Sequence, residues 1–169
     1  MPDRHQLHLD PIGAPFVREV GPSEVSARRA LAKCRITMLP ETTSSIASNA
    51  IHKGDVLAAA RIAGIQAAKR AAELLPMCHP VMVGNVSVNF NIGDTYVEVE
   101  AHVDTVDRTG VEMEALTACA VAALTIYDMC KSIDRSMTVG ELALWEKTGG
   151  RSGTYRRAAE PGDDDLYTL

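Results

Sequence analysis

The spacing of apolar positions changes period several times along the chain, and each change marks an element. In KGDVLAAARIAGIQAAKRAAELLP (53–76) apolar residues recur every three to four positions, which predicts a helix capped by Asp55 and stopped by Pro76. VSVNFNI (86–92) and TYVEVEAHVDTV (95–106) instead alternate apolar with polar residues, the mark of half-buried strands. Gly93-Asp94 between them supplies a tight turn, so the two form a hairpin. Helical spacing returns in TGVEMEALTACAVAALTIYDMCKSI, where Thr109 and Glu112 read as a capping box. CRITML (34–39) and TVGELALWE (138–146) read as strands, and ETTSSIASNAI (41–51) can hold a shorter helix. The order β-α-β-β-α-β is that of an α+β ferredoxin-like sandwich, with two helices on one face of a four-stranded antiparallel sheet. Residues 1–15 and 156–169 show no period and are expected to be poorly ordered, leaving 16–155 as a single domain.

Both long helices are built of small residues. Ala58, Ala59, Ala60, Ala63, Gly64, Ala67, Ala68, Ala71 and Ala72 leave the first with little bulk, so a neighbour can approach closely. In the second, residues 115–127 carry no charge on any side. A helix apolar all round is covered on more than one face, yet one sheet covers only one. The remainder predicts contact with another copy of the chain, a homo-oligomer.

Composition narrows the function classes. The 169 residues suit one domain, and the net charge of −5 with 4% aromatics argues against a nucleic-acid binder. No apolar run reads as long enough to span a bilayer, and MPDRHQLHLDPIGAP lacks the apolar core of a signal peptide, so a cytoplasmic protein without membrane contact is expected. Cys34, Cys78, Cys119 and Cys130 are too scattered for a zinc site or disulfide framework, and buried free thiols are the expectation.

Four stretches carry candidate chemistry. LTIYDMCK sets Asp128 three residues before Lys131 at the end of the uncharged helix. The pair is either a surface salt bridge or an acid–base pair, and pattern alone leaves both open. LLPMCHPVM holds His79 between Cys78 and Pro80 on a segment made rigid by two prolines, either a packed loop or a pocket wall. In DRTGVEMEALT, Glu114 falls in the first helical turn, where a carboxylate is favoured and can accept from a guanine-like amide edge or simply from water. EKTGGRSG gathers three glycines with Lys147 and Arg151, suited to phosphate oxygens although it is no Walker A loop. Lys53, in HKGDV, opposes the dipole of the helix it precedes, and an anionic ligand would explain it.

KGDVLAAARIAGIQAAKR, LLPMCHP, RTGVEMEALTA, ALTIYDMCK and EKTGGRSG together, in this order and spacing, resemble the cyclic pyranopterin monophosphate synthases, the molybdenum cofactor biosynthesis protein C family, over residues 17–155. The resemblance implies a hexamer, a trimer of dimers, with active sites between subunits. It implies as substrate a guanosine triphosphate derivative already cyclised between ribose C3′ and purine C8, converted to cyclic pyranopterin monophosphate with release of diphosphate. By motif, Asp128, Lys131 and Lys53 would be catalytic. Met77, Cys78, His79, Met113, Glu114, Lys147, Arg151 and Arg28 would contact the substrate. No tightly bound cofactor is implied, and Mg2+ carried in on the triphosphate is compatible with it. The segment VREVGPS (17–23) departs from the family pattern, with Glu19 where an aspartate is usual and Ser23 where a lysine is; Ser26 likewise replaces a threonine.

Overall fold

The computed structural model describes Gly13 and residues 24–158. The VREVGPS segment and most of both expected disordered ends lie outside that range. Strand β1 (Ser26–Thr37) is followed by α1 (Pro40–Ala47), α2 (Val56–Lys69) and the single turn α3 (Ala71–Leu74). Then come the hairpin β2 (Asn85–Ile92) and β3 (Tyr96–Asp107), the long α4 (Glu112–Cys130), β4 (Thr138–Thr148) and the short β5 (Tyr155–Arg156). All pairings are antiparallel and the sheet order is β2-β3-β1-β4-β5. The first four strands reproduce the ferredoxin-like arrangement, and β5 adds a short edge beside Glu146 and Lys147.

Several expected boundaries move. β1 starts eight residues before Cys34, because Ala30, Ala32, Cys34 and Ile36 all face the core while Arg29, Lys33 and Arg35 face the open side of the sheet. Alanine is a poor strand former, so the alternation there is easily read as loop. The expected helix over 53–76 begins only at Val56: Asp55 caps it by accepting from the Ala58 N–H at 2.9 Å, and a break at Arg70 splits off α3. The capping box at Thr109 is not formed. The N-cap of α4 is Val111, with no side-chain cap bond, and the Glu112 carboxylate is committed elsewhere. The expectation about membrane spans is also corrected: the 19-residue α4 is long and apolar enough to cross a bilayer by length and composition. Half of it is buried against protein here, with Ala115, Ala118, Cys119, Ala122, Ala123 and Ile126 inaccessible.

Those small residues set how the layers approach. α4 lies across β1, β3 and β4, and α2 packs beside it over β2. At the crossing, a Cβ on Gly64 would stand 3.0 Å from the Ala118 carbonyl oxygen and 3.3 Å from the Ala122 Cβ. Glycine is therefore the residue that fits, and its cost to helix stability of about 1 kcal/mol is offset by burial of both faces. The outer stripe of α4 stays open, with Met113 41% and Leu124 59% exposed, and Ile62 of α2 is 59% exposed.

Beyond the end of α4 the chain is fastened by one buried carboxylate. Asp134, 3% exposed, accepts from the Leu39 N–H at 2.9 Å, Thr42 Oγ1 at 3.1 Å, and the Ser136 N–H and Oγ at 2.9 and 2.6 Å. It ties the turn that carries Lys131 to the start of α1.

Candidate active site

The fold gathers the sequence-predicted residues into two groups at opposite ends of α4. At the C-terminal end, Lys131 Nζ donates to Asp128 Oδ1 at 2.6 Å. Lys53, from the loop before α2, donates to Asp128 Oδ2 at 3.3 Å and to the Asp128 carbonyl oxygen at 2.9 Å. The lysine that opposed the helix dipole is thus held by a carboxylate and by a carbonyl near the negative end of a different helix. Bonds from Lys131 and then Lys53 hold the Asp128 carboxyl below the usual carboxylate range. All three side chains stand open: Lys53 is 44%, Asp128 58% and Lys131 52% exposed. The site therefore has one carboxylate with two cations, and a face from which a ligand can reach all three.

At the N-terminal end, the rigid Pro76–Pro80 segment lies against the first turn of α4. The Cys78 thiol donates to Glu114 Oε1, with Sγ 3.6 Å from the oxygen. Burial, then the charge of Glu114, pushes the thiol up to about 11, so at neutral pH it is a hydrogen-bond donor and not a nucleophile. Glu114 is 2% exposed, and its Oε2 has no hydrogen-bond partner among the described residues. Burial raises its carboxyl above the ordinary value, and the nearby Glu112 charge adds to that, against its own backbone N–H and the Cys78 thiol. A buried acceptor without a donor is costly, and a ligand N–H is the natural remedy. Met77 and Met113, 40% and 41% exposed, stand on the Pro76–Pro80 segment and beside Glu114 on α4. His79 is the next residue after Cys78 and only partly exposed.

The glycine loop stands at the same end. Lys147, on the last residues of β4, bonds Ser152 Oγ and lies 3.9 Å from Glu112 Oε1. Gly149, Gly150 and Gly153 have φ of +89°, +79° and +66°, left-handed conformations that disfavour side chains. Arg151 is exposed at the loop tip. Arg28 runs beneath: its Nη2 donates to the Arg108 carbonyl at 3.0 Å and the Glu24 carbonyl at 3.4 Å, and its Nε to the Asp107 carbonyl at 3.3 Å. A side chain on Gly150 would collide with its guanidinium. Arg28 thus joins the head of β1, the turn before α4 and the glycine loop. Beside the loop opens a cleft of about 580 Å³ that Lys147, Ser152, Tyr155 and Arg157 line together with Leu142 and Leu144.

Two functional-looking features escaped sequence reasoning. Glu112 was absorbed by an apparent capping box; in the structure Gly110, where a Cβ would collide with the Glu112 carboxylate, leaves it room to fold back. Asp134, in a short polar turn, has no sequence signature of burial. The two groups are far apart within one chain: Glu114 and Asp128 are fourteen residues apart on α4, about 21 Å along its axis.

A lysine–aspartate–lysine cluster, a desolvated carboxylate and a cationic glycine loop on a ferredoxin-like α+β fold are together chemically suited to an anionic, amide-bearing small molecule. The MoaC family model matches residues 17–150, and the chain belongs to that family. A cyclic pyranopterin monophosphate synthase of Thermomicrobium roseum is 53% identical over 152 residues, 89% of this chain and 92% of its own. One from Roseiflexus sp. is 51% identical over 150 residues, covering 88% and 95%. Cyclic pyranopterin monophosphate synthase 3 of Mycobacterium tuberculosis is 52% identical over 151 residues, covering 89% and 85%.

Proposed function

We infer that this chain is a cyclic pyranopterin monophosphate synthase, acting in molybdenum cofactor biosynthesis on the C3′–C8-cyclised guanosine triphosphate derivative. The observation that carries the reading is the Lys53–Asp128–Lys131 cluster, an exposed carboxylate bonded by two cations from different elements, in a chain about half identical to synthases over most of its length. The reaction rebuilds a purine into a pterin, which needs protons moved to and from ring atoms. It then closes a cyclic phosphate: a ribose-derived hydroxyl loses its proton and attacks the α-phosphorus. The bond to the β-phosphate oxygen breaks, and diphosphate leaves. This is phosphorus–oxygen lyase chemistry. Asp128 with its lysines serves the proton transfers, and Lys147 and Arg151 offset the charge of the departing diphosphate. Glu114, with its free oxygen, takes the amide and amino edge of the guanine-derived ring. Met77, Cys78, His79 and Met113 enclose it, and Arg28 supports the loop from below.

Ring and reacting ribose are joined by only a few bonds, so groups about 21 Å apart on one α4 cannot both serve one substrate. Two copies can. An isologous pairing in which the exposed stripes of α4, Met113 to Leu124, run antiparallel sets the Asp128 end of one chain beside the Glu114 end of the other. Burial there would also lift the Asp128 carboxyl toward a pKa suited to proton transfer. A homohexamer built of such dimers, resident in the cytoplasm, is the assembly we assign. No step calls for a redox group, and Mg2+ carried on the triphosphate is compatible with the reaction.

Subunit mixing tests both parts at once. Asp128→Asn and Glu114→Gln chains, each expected to be inactive alone, should regain cyclic pyranopterin monophosphate formation when refolded together. Inactive mixtures that still form the wild-type oligomer would show that each site lies within one chain.

A further inference from the structure

Glu112 heads α4 yet caps nothing. Its carboxylate folds back over Gly110, where any Cβ would collide with it. In that position it faces the Lys147 ammonium at 3.9 Å, with the two side chains 31% and 13% exposed. Ser152, on the glycine loop, takes another of the ammonium's hydrogens. Glu112 is also near enough to Glu114 to push that carboxyl up, so its negative charge is felt within the same region. Lys147 is the cation that the proposed function gives to phosphate oxygens. An anion held against that cation competes with any phosphate that arrives.

We propose that Glu112 is a latch on Lys147: it parks the ammonium at the head of α4 in the free chain, and the phosphate chain of a bound ligand takes the ammonium over. Glu112 is then a residue that sets affinity and selects ligands by charge. A singly charged ligand gains little by exchanging one anion for another, whereas a diphosphate or triphosphate brings several charges to the same ammonium and to Arg151. The loop is released from α4 in the same exchange, because Ser152 rides on the Lys147 contact. This deepens the reading above and rests on it for the identity of the anion.

The test is calorimetric titration of inorganic diphosphate into the full-length protein. Glu112→Gln, which keeps the shape and removes the charge, should bind diphosphate roughly three- to ten-fold more tightly, the worth of the partly buried ion pair that the phosphate no longer has to displace. Lys147→Ala should weaken binding, and adding Glu112→Gln to it should restore nothing. A purely structural role for Glu112 would not give a gain that vanishes with Lys147. Glu112→Asp, drawing the carboxylate back by one methylene, should give a smaller gain and serves if the glutamine variant folds poorly. Lys147-dependent binding unmoved or weakened by Glu112→Gln would overturn the latch alone. Binding indifferent to Lys147→Ala would overturn the phosphate-loop assignment, and the latch with it.

Discussion

Asp134 offers the sharpest test of how the acid–base end of α4 is held. Its carboxylate is 3% exposed and takes four hydrogen bonds, two from the start of α1 and two from Ser136. Hydrogen bonds to a charged group contribute about 1.5–3 kcal/mol each, and a buried donor left unpaired costs about 1–3 kcal/mol. Asp134→Ala strands the Leu39 N–H and the Thr42 hydroxyl, which is 2% exposed as a residue, so a loss on the order of 3–5 kcal/mol is expected. Asp134→Asn keeps one acceptor oxygen but sets an NH2 group against donors, for a loss of about 1–3 kcal/mol. Burial works to raise the wild-type carboxyl, but bonds from Leu39, Ser136 and Thr42 outweigh it and its pKa lies below the ordinary value. A depressed folded-state pKa stabilises above the unfolded pKa of about 3.9, and that stability is lost as pH falls through the folded value. Urea denaturation of the wild type should therefore show an acid loss beginning near pH 4 that is smaller in Asp134→Asn. Because the fastened turn carries Lys131, residual native Asp134→Asn should also turn over slowly. An asparagine variant as stable as wild type at pH 7, with the same acid profile, would refute the assignment.

Three further expectations follow from the same geometry. Lys147→Ala should weaken substrate binding with little change in melting temperature, and an unchanged dissociation constant would count against its phosphate contact. Cys78, held near 11 by burial and Glu114, should react with iodoacetamide at pH 8 about a hundredfold slower than a free thiol of pKa near 8.5, and labelling at the ordinary rate would contradict its bond to Glu114. Gly64→Leu should drive α2 from α4 and cost on the order of 3 kcal/mol in urea denaturation; a variant of wild-type stability would show that the close crossing is not needed.

Legibility in the sequence followed the strength of the local signal. The β2–β3 hairpin was readable because Val and Phe alternate with Ser and Asn before Gly93-Asp94 and Val alternates with Glu, His and Asp after it, and register leaves such a pattern one solution. The first half of β1 was not, since Ala30 and Ala32 fill core positions that a larger apolar residue would have advertised. α2 and α4 were legible as helices, but not the break at Arg70, which no proline or glycine marks. Among the site residues, Asp128 and Lys131 were visible as charges ending an uncharged helix. That Lys53 reaches the same carboxylate depends on the crossing of α2 with α4, which is tertiary. The Glu112–Lys147 contact was hidden by a local explanation that fitted Thr109 and Glu112 equally well, and only the structure shows the cap unformed.

The central claim is that Asp128, between its two lysines, moves protons in a reaction that expels diphosphate. The most direct measurement is diphosphate release from the C3′–C8-cyclised guanosine triphosphate derivative, for wild type and Asp128→Asn side by side. The account predicts release by wild type, and loss of release with substrate still bound and the oligomer intact in the variant. Release at the wild-type rate by Asp128→Asn would contradict it.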